Sequence, residues 1–94
     1  MEGFFFDPKH GGRIRQVKSD GHKRWIILGV YGNDERPYTG QLWYAYLYEV
    51  KYKEAFLADF IGKKKRRRYL NVLLVDGNLH WSDGNVWEKL PSIT

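Results

Sequence analysis

The sequence predicts an α+β fold that is mainly antiparallel β: a small twisted sheet or partly open, SH3-like-sized barrel or roll of about six strands. One helix at about residues 52–61 precedes a C-terminal three-stranded meander. Three observations lead there. Side chains alternate in character along 13–17 and 41–51. Two Asp-Gly steps, Asp76-Gly77 and Asp83-Gly84, punctuate the last third of the chain. Between them and the first strands, the apolar spacing lengthens to four at Tyr52, Phe56 and Phe60.

The 94 residues make one small globular domain, 1–94. Hydrophobic residues reach 43% and aromatics 17%, a core-forming content that a disordered chain lacks. Cysteine is absent, which removes disulfides and thiolate zinc sites and fits a reducing compartment. The longest uncharged apolar stretch, Trp25 to Tyr31, is far shorter than the roughly 20 residues a membrane helix needs. The start, MEGFFFDPKH, has an acid and a proline where a signal peptide needs a basic start and a longer apolar run. The expected location is cytoplasmic or nuclear.

Phe4, Phe5 and Phe6 form a short strand that Asp7-Pro8 stops, because proline has no amide hydrogen to donate; an edge position is expected. After Gly11-Gly12, the segment 13–17 sets Ile14 and Gln16 on one face and Arg13, Arg15 and Val17 on the other. Ser19-Asp20-Gly21-His22 has hairpin chemistry. From Trp25 to Tyr31 both faces are apolar, as in a central strand. The polar segment 32–40 is a loop longer than a hairpin needs. Next comes a strand with Leu42, Tyr44, Tyr46, Tyr48 and Val50 on one side and Trp43, Ala45 and Leu47 on the other. Its tyrosine row either packs on a neighbouring element or lines a groove that stacks rings. In the helix expected next, Leu57 and Ile61 flank Phe56 and Phe60, and Gly62 takes the left-handed position just past the end.

If both Asp-Gly loops have two residues, Val75 pairs with Asn78, Leu74 with Leu79, Val72 with Trp81, and Trp81 with Val86. Val72, Leu74, Leu79, Trp81 and Val86 then form a core face, and His80 faces Trp87 on the opposite one. A longer bulged turn exchanges the faces.

Charge is concentrated rather than spread. The net charge is +5, yet without Lys63, Lys64, Lys65, Arg66, Arg67 and Arg68 ten cations face eleven acids. Each close pair in such a run repels by roughly 1 kcal/mol, so an acidic partner is expected. Part of the run suits a helix C-terminus, and a Lys/Arg-rich run also serves nuclear import. The expectation is a non-enzymatic binding module that engages nucleic acid through these six residues and Tyr69, with Trp87, His80, Tyr38 and Trp43 as aromatic contacts. The alternative is a protein-interaction or assembly subunit anchored by Trp87, Tyr38 and Trp43, with the cations as an import signal or acidic-partner rim. Homo-oligomers through aromatic-rich sheet edges belong to that class. An anionic membrane surface draws on the basic run alone.

Neither catalysis nor a cofactor is expected. His80 and Ser82 point in parallel on one strand, and Asp83 belongs to a turn, so no proton relay follows. His10 and His22 are too scattered for a metal site, and the two Asp-Gly-Asn triplets lack the further acids of a calcium loop.

Overall fold

The computed structural model describes residues 1–10, 13–21, 24–30, 41–63 and 68–91. Its eight strands are β1 (Gly3–Asp7), β2 (Arg13–Ser19), β3 (Arg24–Val30), β4 (Leu42–Glu49), β5 (Ala55–Asp59), β6 (Tyr69–Val75), β7 (Asn78–Trp81) and β8 (Val86–Lys89). Each pairs antiparallel with the next, and β8 returns to β1, with Phe5 opposite Lys89 and Phe6 opposite Glu88. This corrects the predicted α+β class: the protein is a closed eight-stranded antiparallel barrel, and the described residues contain no α-helix, only a 3₁₀ turn at Pro8–His10. Closure also removes the free sheet edges that edge-mediated assembly requires, and it makes the Phe4 to Phe6 strand an interior member of the sheet. No helix among the described residues is long and apolar enough to cross a membrane.

The helix expected at 52–61 is a turn followed by β5. The misleading spacing has a simple origin. Residues four apart share a face in a helix, but they also share one in a strand, whose period is two. Ala58 decides between them: it is fully buried midway between Phe56 and Phe60, while Leu57 and Ile61 point outward. Gly62 accordingly has no helix to terminate.

Eight strands enclose just enough room for side chains to fill, and here they do. The alternation on 13–17 and 42–48 holds: Arg15 and Val17 point inward, as do Trp43, Ala45 and Leu47, with Ile14 and the tyrosines outward. Phe5, Ile27, Phe56, Ala58, Phe60, Leu70, Val72, Leu79, Trp81 and Trp87 complete the core. Phe60 and Trp81 meet at 5.5 Å, and Trp81 and Trp87 at 4.7 Å between ring centroids. Gly29 on β3 leaves space for two large neighbours. A Cβ there would lie 2.5 Å from the Trp43 ring and 3.0 Å from Arg15.

The two Asp-Gly steps make different turns. At Asp76-Gly77 both residues have positive φ, 51° and 83°, a two-residue type I′ turn, and the predicted register of β6 on β7 follows. At the second step only Gly84 is left-handed (φ 92°), Gly84 N donates to Trp81 O, and Trp81 N donates to Asn85 O. That is a three-residue loop with a Gly bulge. The added residue shifts β8 by one, so Leu79 faces Trp87 and His80 faces Val86. Trp87 therefore enters the core in place of Val86, and the larger apolar surface is the one buried.

This register has a direct test. Trp87→Ala should cost about 3 to 5 kcal/mol in urea denaturation and Val86→Thr less than about 1 kcal/mol. Comparable losses would restore the two-residue loop. Gly29→Ala should cost about 1 to 3 kcal/mol by crowding Trp43 and Arg15.

Candidate functional site

In an up-and-down barrel, alternate connections emerge at the same end. The β1–β2 turn with His10, the β5–β6 connection and the β7–β8 turn therefore share one end, where Val30 and Leu42 also lie. The cationic run 63–68 is the β5–β6 connection. Lys63 and Arg68 are its described ends, while Lys64, Lys65, Arg66 and Arg67 lie outside the described residues, as does Tyr38.

A buried polar cluster supports this end from inside. Arg15 has no solvent exposure, and its Nη2 donates to Asp7 Oδ2 at 3.3 Å. Asp7 also accepts from Asn85 Nδ2 at 2.9 Å and from the Lys9 amide at 3.1 Å, and its Oδ2 lies 2.8 Å from His10 Nδ1. One carboxylate thus ties β1, the 3₁₀ turn, β2 and the β7–β8 turn together. The Arg15 guanidinium lies over the rings of Trp43 (5.0 Å) and Trp87 (5.8 Å). Burial raises the Asp7 pKa, but hydrogen bonds from Asn85 and His10, with the charges of His10 and Arg15, outweigh it. The carboxyl stays below its ordinary value.

The outer wall beside the run is aromatic. Phe60 N donates to Arg68 O at 2.8 Å and Lys63 N to Phe60 O at 3.0 Å, which closes the base of the cationic connection. Arg68 forks onto Asp59, Nε to Oδ1 at 2.7 Å and Nη2 to Oδ2 at 3.2 Å, and its Cζ lies 5.0 Å from the Tyr69 ring centre. These bonds to Asp59 raise the Arg68 pKa further, so it remains charged. Register sets Tyr46, Asp59 and Tyr69 side by side on β4, β5 and β6. Along β4, Tyr44 and Tyr46 are 5.6 Å apart and Tyr46 and Tyr48 are 6.3 Å apart. Gly62 joins loop to wall: a Cβ there would sit 2.2 Å from the Tyr44 ring, so only glycine lets the backbone pass this close.

Of the residues that the sequence singled out, Arg68 and Tyr69 are in contact, and Lys63 stands at the other end of the same connection. Trp43 and Trp87 are 1% and 4% exposed, so neither presents a ring to a partner from the outer wall. Lys63 Nζ does lie 4.5 Å from the Trp43 ring centre at the barrel end. His80 is half-buried on the outer face opposite Leu73, four residues and roughly 13 Å along β6 from Tyr69. The sequence reading missed Asp59, set on a helix face; Gly62, taken for a cap; and Asp7 with Arg15, whose pairing across a turn only an inward-facing β2 reveals.

A carboxylate held below its ordinary pKa stabilises the fold above that ordinary value, and the contribution is lost as pH falls through the lowered one. The native protein should therefore lose stability as pH drops below about 4. Asp7→Asn should cost about 3 to 5 kcal/mol at pH 7, because Arg15 stays buried without its counter-charge. The variant should also show a flatter dependence below pH 4, both read by urea denaturation across pH. No protein-family model, curated protein or solved structure matches this chain.

Proposed function

We propose that this chain is a non-enzymatic binding module that engages nucleic acid through residues 63–68 and the tyrosines at their base. One observation supports the reading: the ends of the cationic connection adjoin exposed rings, with Gly62 next to Lys63 packed on Tyr44, and Arg68, held by Asp59, over Tyr69. The interior is filled by the protein's own side chains, so a ligand the size of a nucleic acid engages the ends and outer wall. Cations at a loop neutralise phosphates and release their counterions, an attraction that acts at long range and carries no sequence preference. Arg68 is partly neutralised by Asp59, so its guanidinium acts mainly to position the loop. The alternative, a protein-interaction subunit with the run as an import signal or acidic-partner rim, draws on Trp43, Trp87 and Tyr38 as surface anchors; both tryptophan rings are inside the barrel, and Tyr38 lies outside the described residues.

The test is fluorescence anisotropy with labelled single-stranded DNA, duplex DNA and RNA from 50 to 200 mM salt. Log K should fall with log salt at a slope of up to about −5 on duplex, and replacing residues 63–68 by Gln should abolish binding. Absence of binding at 50 mM salt would refute the reading. Salt-insensitive capture of an acidic protein would favour the alternative.

A further inference from the structure

We infer that the barrel mouth opposite the cationic connection binds a quaternary ammonium group, enclosed by the rings of Trp25, Phe56 and Tyr52 and held by the carboxylates of Glu49 and Glu54. This site lies at the other end from residues 63–68, shares no residue with them and stands apart from the nucleic-acid reading.

The β2–β3, β4–β5 and β6–β7 connections share this end. Among them opens a cavity of about 470 Å³, lined by Trp25, Phe56 and Leu74 from the strands and by residues 49–54 at the β4–β5 turn. Small-ligand sites have this size and favour the mouths of barrels. Register explains why the core stops short here. Leu47 is opposite Trp25 and fully buried, and the next residue of β4 on the same face is Glu49, opposite Phe56. A carboxylate thus stands where one more apolar side chain would close the core.

The rings supply the walls. Trp25 and Phe56 are perpendicular, 5.4 Å apart between centroids, so together they present surfaces in two directions. Tyr52 is 72% exposed on the turn and meets no other ring among the described residues, which leaves its face to a ligand. Aromatic faces attract cations and repel anions, and the attraction grows as the cation loses water.

The turn keeps its second carboxylate at a cost. Val50 N donates to Ala55 O and Ala55 N to Tyr52 O, both at 3.2 Å, and Glu54 closes the turn with φ 62°, a conformation that glycine or asparagine adopts with less strain. Its carbonyl accepts from Leu74 N at 2.8 Å, which fixes it beside the cavity. Neither Glu49 nor Glu54 has an ion-pair partner among the described residues. Both charges are left to a ligand.

A quaternary ammonium suits this lining. It is weakly hydrated, has no N–H in need of an acceptor, and lays its methyl groups on apolar side chains, whereas a primary ammonium or a hydrated metal ion would lose water that Trp25, Phe56 and Leu74 cannot replace. Lys51 and Lys53 also border the cavity, on either side of Tyr52, and both are exposed. Their long stems let the hydrated heads turn to solvent, while a strand holds Glu49 and the backbone holds Glu54.

The experiment titrates choline, and separately its uncharged isostere 3,3-dimethylbutanol, into the protein by calorimetry at constant ionic strength. The wild type should bind choline saturably and the isostere at least about ten-fold more weakly. Tyr52→Ala should weaken choline by about 2- to 30-fold, and Tyr52→Phe should restore it. Glu49→Gln should weaken it while leaving the isostere unchanged. Glu54→Gly, which relieves the positive φ, should raise the urea midpoint and yet weaken choline, a pairing that a merely structural residue does not produce. All four positions altered are on the exposed rim or turn, and the urea midpoint of each variant reports its folding. Absence of saturable choline binding, equal affinity for choline and the isostere, or choline binding indifferent to Tyr52→Ala, Glu49→Gln and Glu54→Gly overturns the inference. The variant with Gln at 63–68 should bind choline as the wild type does, so the nucleic-acid reading stands or falls separately.

Discussion

Arg15 is a guanidinium in the interior of a small barrel, and an unpaired charge there is costly by several kcal/mol. Asp7 is what makes it tolerable. The same carboxylate accepts from Asn85 and the Lys9 amide and contacts His10, so the neutralising group also anchors two connections of one barrel end, β1–β2 and β7–β8. The planar guanidinium meanwhile lies over Trp43 and Trp87, and Gly29 gives both Arg15 and Trp43 their space. The order of that end follows from one buried ion pair and the rings around it.

A barrel whose inside is packed with tryptophan and phenylalanine has only its ends and outer wall left for function. Here those two surfaces meet at one place. The β5–β6 connection carries the cations, Asp59 and Phe60 close its base, and Gly62 lays it against Tyr44. In the proposed reading, charge supplies attraction without selectivity, and flat rings supply selectivity for what can lie on them. Neither surface alone defines a partner class.

Much of this was legible because it is local. The sorting of side chains into two faces along 13–17 and 42–48, the two-residue turn at Asp76-Gly77 and the adjacency of Arg68 to Tyr69 each depend on a few neighbouring residues. Two errors share a different cause. Spacing by four fits both a helix and a strand, so Phe56 and Phe60 were ambiguous until Ala58 was seen to be buried between them. Asp-Gly fits both a two-residue loop and a three-residue bulged loop, and one residue of difference exchanges Val86 with Trp87. Aromatic residues gave no warning, since Trp43, Trp87 and Tyr69 are alike in character and differ only in which way a strand turns them.

By itself, then, the sequence determined most of the antiparallel strands, most turn positions and the clustering of the cations in one run, because pleat and turn chemistry act between residues a few positions apart. Tertiary structure alone decided that the sheet closes, through pairing of Phe5 and Phe6 with Lys89 and Glu88 at the other end of the chain. Closure converts an open sheet with edges into a filled barrel, buries Arg15 against Asp7 and gathers alternate connections at one end. Those consequences depend on contacts between residues far apart in the chain, which no local pattern encodes.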